Sequence, residues 1–197
     1  NLSGSEMDDK RRWISNCRVC GATDIIYLCD TYNEHSKTTS ISHYKCSTCG
    51  SVFVGNDVDS EELGVAYSTL NPKEYYEEIK LTNMKKMATA IDHLKTIATE
   101  NSSIIDIGTG NGLFVELLKN AGFNDISAHE IQGSDLSRIS NIASHIYQDY
   151  DYSTIPSNKF DVVTLLDVVE HVLDPKYLMK TCARILKKDG VTYFHTP

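Results

Sequence analysis

The chain has 197 residues, 41% of them hydrophobic and 9% aromatic, with 19 basic and 27 acidic side chains for a formal net charge of −8. That length buries one full core, or one core plus a small module that needs other support. No run reaches the roughly 18 to 20 apolar residues of a membrane span, and the acidic balance opposes loose binding to phosphate backbones, so a membrane protein is excluded and nucleic acid is disfavoured as a partner.

In chain order, the start NLSGSEMDDKRRW lacks the apolar stretch of a secretory signal. Residues 1–12 read as a tag remnant or disordered start with Met7 as the native first residue, which places the protein in the cytoplasm. Residues 13–57 bear cysteines, with β-type runs DIIYLC and SISHYKC separated by turn residues. Cys17-x2-Cys20-Gly and Cys46-x2-Cys49-Gly are identical knuckles. Each pair sets two thiolates on one turn, and the glycine behind it lets backbone amides wrap the sulfurs. Together they predict a zinc ribbon. Four sulfur ligands leave no open position, so the metal is expected to be structural and to stabilise a module too small to fold by burial. A disulfide pair or redox thiols are the competing readings, the former disfavoured in the cytoplasm. Cys29 and Cys182 fall on apolar faces and are expected as core fillers.

Residues 58–102 read as a linker, with Gly64, Asn71 and Pro72, followed by a helix from Lys73 to about Glu100. Met84, Met87, Ile91, Leu94 and Ala98 recur at three- and four-residue steps and predict its buried stripe. From residue 103 the patterns alternate: strands over 103–107, 125–130, 145–149, 160–166 and 191–195, helices over 112–121, 135–144 and 175–187. Alternation of this kind predicts an α/β domain, a doubly wound and mostly parallel sheet with helices on both faces.

The stretch SIIDIGTGNGLFVELLKNAGF, residues 103–123, runs from a strand through three glycines two apart into a helical pattern. Gly108 permits a sharp exit from the strand, Gly110 a close approach of ligand to backbone, and Gly112 close helix packing. The spacing differs from the G-x-G-x-x-G of dinucleotide folds, and Asp106, two residues ahead of the first glycine, would repel a pyrophosphate but attract an ammonium. Glu130 ends the next strand, where an acid can accept both hydroxyls of a ribose. His129, just before it, should point to the opposite face and is given no chemistry.

With these residues the sequence resembles the class I S-adenosylmethionine-dependent methyltransferases, whose first motif is an acid followed by x-G-x-G-x-G. The resemblance runs over residues 103–197 and takes in QDY with Asp149, FDVVTLLDVVEHVLDP and ARILKKDGVTYFHTP. It implies that Asp106 and the Gly108, Thr109, Gly110, Gly112 loop hold the methionine part, Glu130 the ribose and Asp149 the adenine amino group, with Asp167 also on the cofactor side. That family's sheet normally closes with two further strands, so a C-terminal segment is expected to be missing. A four-cysteine ribbon ahead of this fold also resembles bacterial nucleotide-sugar C-methyltransferases, which implies a small-molecule acceptor such as a sugar nucleotide or secondary metabolite. Zinc-bearing relatives that methylate ribosomal RNA are the alternative, disfavoured because residues 14–55 hold only Arg18, Lys37 and Lys45 as basic side chains. A cofactor-binding scaffold without turnover, docking through its ribbon, is the non-enzymatic alternative.

Methyl transfer needs an aligned nucleophile and often a base, expected beyond the carboxyl ends of the fourth and fifth strands. There stand Asp167, Glu170, His171 and His195. If a helical turn begins at Asp167, positions 167, 170 and 171 share one face. DVVEH then resembles the ExxEH segment of ubiquinone-pathway O-methyltransferases, which implies a second divalent ion there. In the other reading Glu170 and His171 brace the loop. His171, Glu170 and His195 are the candidate catalytic residues. Tyr75 and Tyr76 lie where related enzymes lay a helix over the cofactor.

Overall fold

A computed structural model describes residues 14–33, 36–55 and 80–197. The expected linker and the first turns of the long helix, Tyr75 and Tyr76 included, lie outside the described residues. The chain divides into two compact units, Asn1–Leu63 with Leu173–Lys176 and Gly64–Val172 with Tyr177–Pro197. No described helix is long and apolar enough to cross a membrane.

The first unit contains a three-stranded antiparallel sheet, β1 (Ile25–Asn33), β2 (Ser36–Cys46) and β3 (Val52–Val54). Tyr44 is its buried centre, 5.8 Å edge-on to Tyr27 and 6.3 Å stacked on Phe53. Cys29 is exposed rather than a core filler. The register shifts between Tyr27 and Cys29, and such a bulge breaks the two-residue alternation on which that expectation rested.

The second unit begins with α1 (Lys80–Ile97) and continues through β4 (Ser103–Ile107), α2 (Leu113–Asn120), β5 (Asp125–Glu130), β6 (His145–Gln148), β7 (Phe160–Leu166), α3 (Pro175–Ile185) and β8 (Leu186–His195). The sheet order is β6-β5-β4-β7-β8 with every pair parallel. The chain enters at the middle strand, moves outward to β6, then crosses back to β7. That reversal is the topological switch point of a doubly wound sheet, and ligands bind at the carboxyl ends beside it.

All of β4 is buried, and its alternation feeds two cores. Ile104 packs with Ala90, Leu94, Phe114 and Leu118 on one face of the sheet, while Ile105 and Ile107 pack with Phe160, Leu178, Cys182 and Ile185 in a separate cluster. Cys182 is thus the core filler expected of it. In α1 the buried stripe is Ala90, Ile91 and Leu94, with Met84 exposed. Only a short 3-10 turn, Ser137–Ile139, stands where a helix over 135–144 was expected. Leu136 and Ile139 have helical spacing and are buried, but polar side chains divert the backbone bonds: Ser137 N donates to Asp135 Oδ1 (3.0 Å) and Ser140 Oγ to Ser137 O (2.9 Å).

Candidate functional site

The loop between β4 and α2 lies at the carboxyl edge beside the switch point. Gly108, Gly110 and Gly112 all have positive φ, 70°, 57° and 78°, a region that only glycine enters freely. Two of them are also pinned by close neighbours. A Cβ on Gly108 would lie 2.6 Å from Val168 Cγ2, and one on Gly112 2.4 Å from Ile139 Cγ2. The loop is tied to β5 by bonds from the Gly108 and Thr109 amides to His129 O, 2.9 and 3.1 Å long. Glu130 closes the arrangement: Gly110 N donates to Oε2 (2.7 Å) and Ile131 N to Oε1 (2.8 Å).

Asp106 sits beneath this loop, 3% exposed, and accepts a 2.6 Å bond from Thr164 Oγ1. Burial pushes its carboxyl up to about 7, against the pull of the Thr164 and Thr109 hydroxyls and with a further push from the Glu130 charge. The Thr109 hydroxyl is buried close enough to Asp106 to draw its carboxyl down but outside hydrogen-bond geometry with any described residue.

At the end of β6, Asp149 is held by donors from within the chain. Its oxygens accept bonds from Tyr152 N (2.5 Å), Thr154 N (3.0 Å), the Thr154 hydroxyl and His129 Nε2 (3.2 Å). Burial alone would raise this carboxyl, but Thr154, His129 and the Tyr152 amide hold it below its usual range. Four donors match the four acceptor positions of a carboxylate, so Asp149 organises the loop 149–154. His129 is its buried partner and packs on the Tyr152 ring at 4.8 Å, as its place on the face away from Glu130 allows.

At the ends of β7 and β8, Asp167 accepts from His195 Nδ1 (2.9 Å) and from Lys86 Nζ on α1. Its backbone N–H donates to His195 O (2.9 Å). Burial opposes ionisation of Asp167, yet Lys86 and His195 together hold the carboxyl below its usual range. Asp167 has φ 56°, outside helical space, and the 3-10 turn starts only at Val169. Positions 167, 170 and 171 therefore do not share one helical face. Glu170 and His171 are exposed. The four cysteines are the only group of three or more potential metal ligands among the described residues, so the second divalent ion expected at Asp167, Glu170 and His171 is not supported. Sequence reasoning missed Lys86 and Thr164, because a lysine on a helix and a threonine in an apolar strand carry no local signal of their partners.

A family model described as a methyltransferase domain matches residues 78–197. The chain belongs to this methyltransferase family. A ubiquinone biosynthesis O-methyltransferase of Actinobacillus pleuropneumoniae serotype 7 is 28% identical over 161 residues, 72% of this chain and 66% of that protein. One from Haemophilus ducreyi is 27% identical over 158 residues, 72% of this chain and 65% of that protein. The chain thus spans just under two thirds of these curated relatives. Among solved structures, a Methanococcus maripaludis protein described as an S-adenosyl-L-methionine-dependent methyltransferase aligns with TM-score 0.50 at 20% identity, over 62% of this chain and 61% of that one. That likeness shows a shared fold.

The methyltransferase domain's loop fits the donor on its own chemistry. A buried carboxylate suits the ammonium of an amino acid, the partnerless Thr109 hydroxyl can take up a polar group beside it, and each Glu130 oxygen keeps acceptor capacity for a ribose hydroxyl. The second cluster, in the first unit, is sulfur. Cys17 and Cys49 Sγ lie 3.7 Å apart, Cys20 and Cys46 Sγ 3.6 Å, and all four within 4.8 Å of one another. A tetrahedron with metal–sulfur bonds of about 2.3 Å has edges of about 3.8 Å. Gly21 and Gly50, with φ 81° and 76°, close the two turns, and the Ser51 hydroxyl and amide draw the Cys49 thiol down.

Proposed function

We propose that the chain is an S-adenosylmethionine-dependent methyltransferase acting on a small molecule, with a structural zinc in its four-cysteine module. The observation that carries the reading is the edge of the sheet where Asp106, Thr109, the positive-φ glycines and Glu130 converge beside the switch point. The donor supplies an electrophilic methyl group on a sulfonium. Asp106 and Thr109 hold its amino-acid end, the glycines let it approach the backbone, and Glu130 accepts the ribose hydroxyls. Asp149 shapes the loop against which the adenine lies. Glu170 and His171 brace the loop after β7.

An O–H acceptor is favoured by the similarity to proteins named for ubiquinone biosynthesis O-methylation, and a sugar nucleotide or other metabolite remains within the same class. Zinc is favoured over other ions by the tetrahedral all-sulfur set. The test is mass spectrometry of products from the whole protein given methyl-labelled S-adenosylmethionine with catechols, nucleotide sugars and RNA. Labelled small molecule is expected. Labelled RNA alone would overturn the substrate class, and donor binding with no labelled product would favour a scaffold.

A further inference from the structure

We propose that Asp167 and Lys86 are positioning residues that fix His195 as the proton acceptor of the methyl-accepting substrate. The proposal rests on the methyltransferase reading above.

Three observations meet here. First, Asp167 holds His195 twice, by its carboxylate on Nδ1 and by its backbone N–H on the carbonyl, both at 2.9 Å. A carboxylate only accepts, so Nδ1 carries the hydrogen, and in the neutral ring Nε2 keeps a lone pair. Nε2 has no partner among the described residues, and the His195 side chain is 41% exposed. Second, Asp167 reaches this position through a left-handed backbone, φ 56°. Aspartate tolerates this region better than most residues, and here the carboxylate and the amide of one residue both bond His195. Third, Lys86 comes from α1 to the other carboxylate oxygen and is itself only 15% exposed, with a second bond to Asn83 Oδ1 (3.1 Å). It fixes the rotation of the carboxylate, leaving Oδ1 for the ring.

The chemistry balances as follows. The acceptor's O–H or N–H bond breaks and its proton passes to His195 Nε2. The freed lone pair forms the bond to the methyl carbon, and the electron pair of the broken carbon–sulfur bond stays on the donor's sulfur, which becomes a neutral thioether. The imidazolium is balanced by Asp167 and returns its proton to solvent.

The experiment uses the whole protein with 15N-labelled histidine, its ring nitrogens read by NMR with S-adenosylhomocysteine present. His195 is expected as the Nδ1–H tautomer in the wild type, to stay so in Lys86→Arg, and to become a mixture in Lys86→Gln and Asp167→Asn. A wild-type ring bearing its hydrogen on Nε2, or an unchanged tautomer in both disrupting variants, overturns the positioning pair. The wild-type spectrum decides even if Asp167→Asn fails to fold. His195→Gln is then assayed on the acceptor that the labelled-donor panel identifies: kcat should fall at least about 100-fold with donor affinity within about twofold, whereas Lys86→Gln should lower kcat with little change in KM. Near-normal kcat in His195→Gln overturns the base. A wild type that fails to bind the donor overturns the methyltransferase reading instead, and the NMR result still judges the pair.

Discussion

Asp106→Asn separates the stability of the domain from its ligand binding. The carboxyl lies beneath the glycine loop, 3% exposed, and burial first of all raises its pKa from 3.8 to about 7. Because the folded value is the higher one, the unfolded chain gives up this proton first as pH rises. Stability is therefore unaffected below about pH 4, falls between about 4 and 7, and stays lowered above that. Roughly three pH units at about 1.4 kcal/mol each set an upper bound of about 4 kcal/mol. Asparagine carries no charge, keeps an oxygen for the Thr164 hydroxyl, and turns an amide toward the partnerless Thr109 hydroxyl. Burying that amide takes back about 1–3 kcal/mol if it is poorly met. The variant should be about 1–4 kcal/mol more stable than wild type at pH 8, with the gain vanishing toward pH 4, in guanidinium melts followed at both pH values. Calorimetry should show S-adenosylmethionine binding about 10- to 100-fold weaker at pH 8, the loss of one charge-assisted contact. Wild-type affinity should rise with pH through about 7, while the variant's stays flat. An asparagine variant less stable at pH 8, or a stability gap equal at both pH values, would refute the reasoning.

Elemental analysis should find about one zinc per chain, and Cys46→Ser should lose both the metal and the structure of the cysteine module while the methyltransferase unit keeps its own unfolding transition; an ordered, metal-free wild-type module would sink this. Glu130→Ala should weaken donor binding at least about tenfold in calorimetry, since it removes the ribose acceptor and releases the Gly110 and Ile131 amides. Gly112→Ala should cost about 2–4 kcal/mol in a denaturant melt, combining a left-handed backbone with a Cβ 2.4 Å from buried Ile139. Gly122→Ala, at φ 101° with nothing within 4 Å, is the control and should cost only the backbone part, about 1 kcal/mol.

The parts of the molecule that could be read from the sequence are those whose chemistry is complete within a few residues. The glycine loop needs only three positive-φ positions at every second residue, and each cysteine knuckle needs only its own turn. The parts that could not be read depend on partners far along the chain. Lys86 and Asp167 are 81 residues apart, Asp167 and His195 28. The DVVEH segment misled because three- and four-residue spacing brings side chains together only on a continuous helix, and Asp167 leaves helical space. The helix expected over 135–144 failed because its apolar spacing is outweighed by the Asp135 and Ser140 side chains, which bond the backbone locally.

Several departures from regular structure in the second unit meet along the carboxyl edge of the sheet, although left-handed Asn158 and Asp189 lie before β7 and within β8. Away from the carboxyl edge, strands alternate between two apolar cores and helices present buried stripes. Along that edge stand a carboxyl kept out of water, a buried hydroxyl without a partner, three left-handed glycines and a left-handed aspartate. The buried carboxyl and the buried hydroxyl are each unfavourable for folding by themselves. A sequence under no demand but stability could replace Asp106 with an uncharged residue or relieve the turn at Asp167. The departures at the switch point are of the kind that ligand contacts, made only in the bound state, can offset. The edge also divides into two halves. Asp106, Thr109 and Glu130 lie on the β4 and β5 side, where we propose the donor binds, whereas Asp167 and His195, with Lys86 of α1, lie on the β7 and β8 side, where we propose the proton is taken up. Variants on the first side should therefore act on donor affinity, and variants on the second on the rate of transfer.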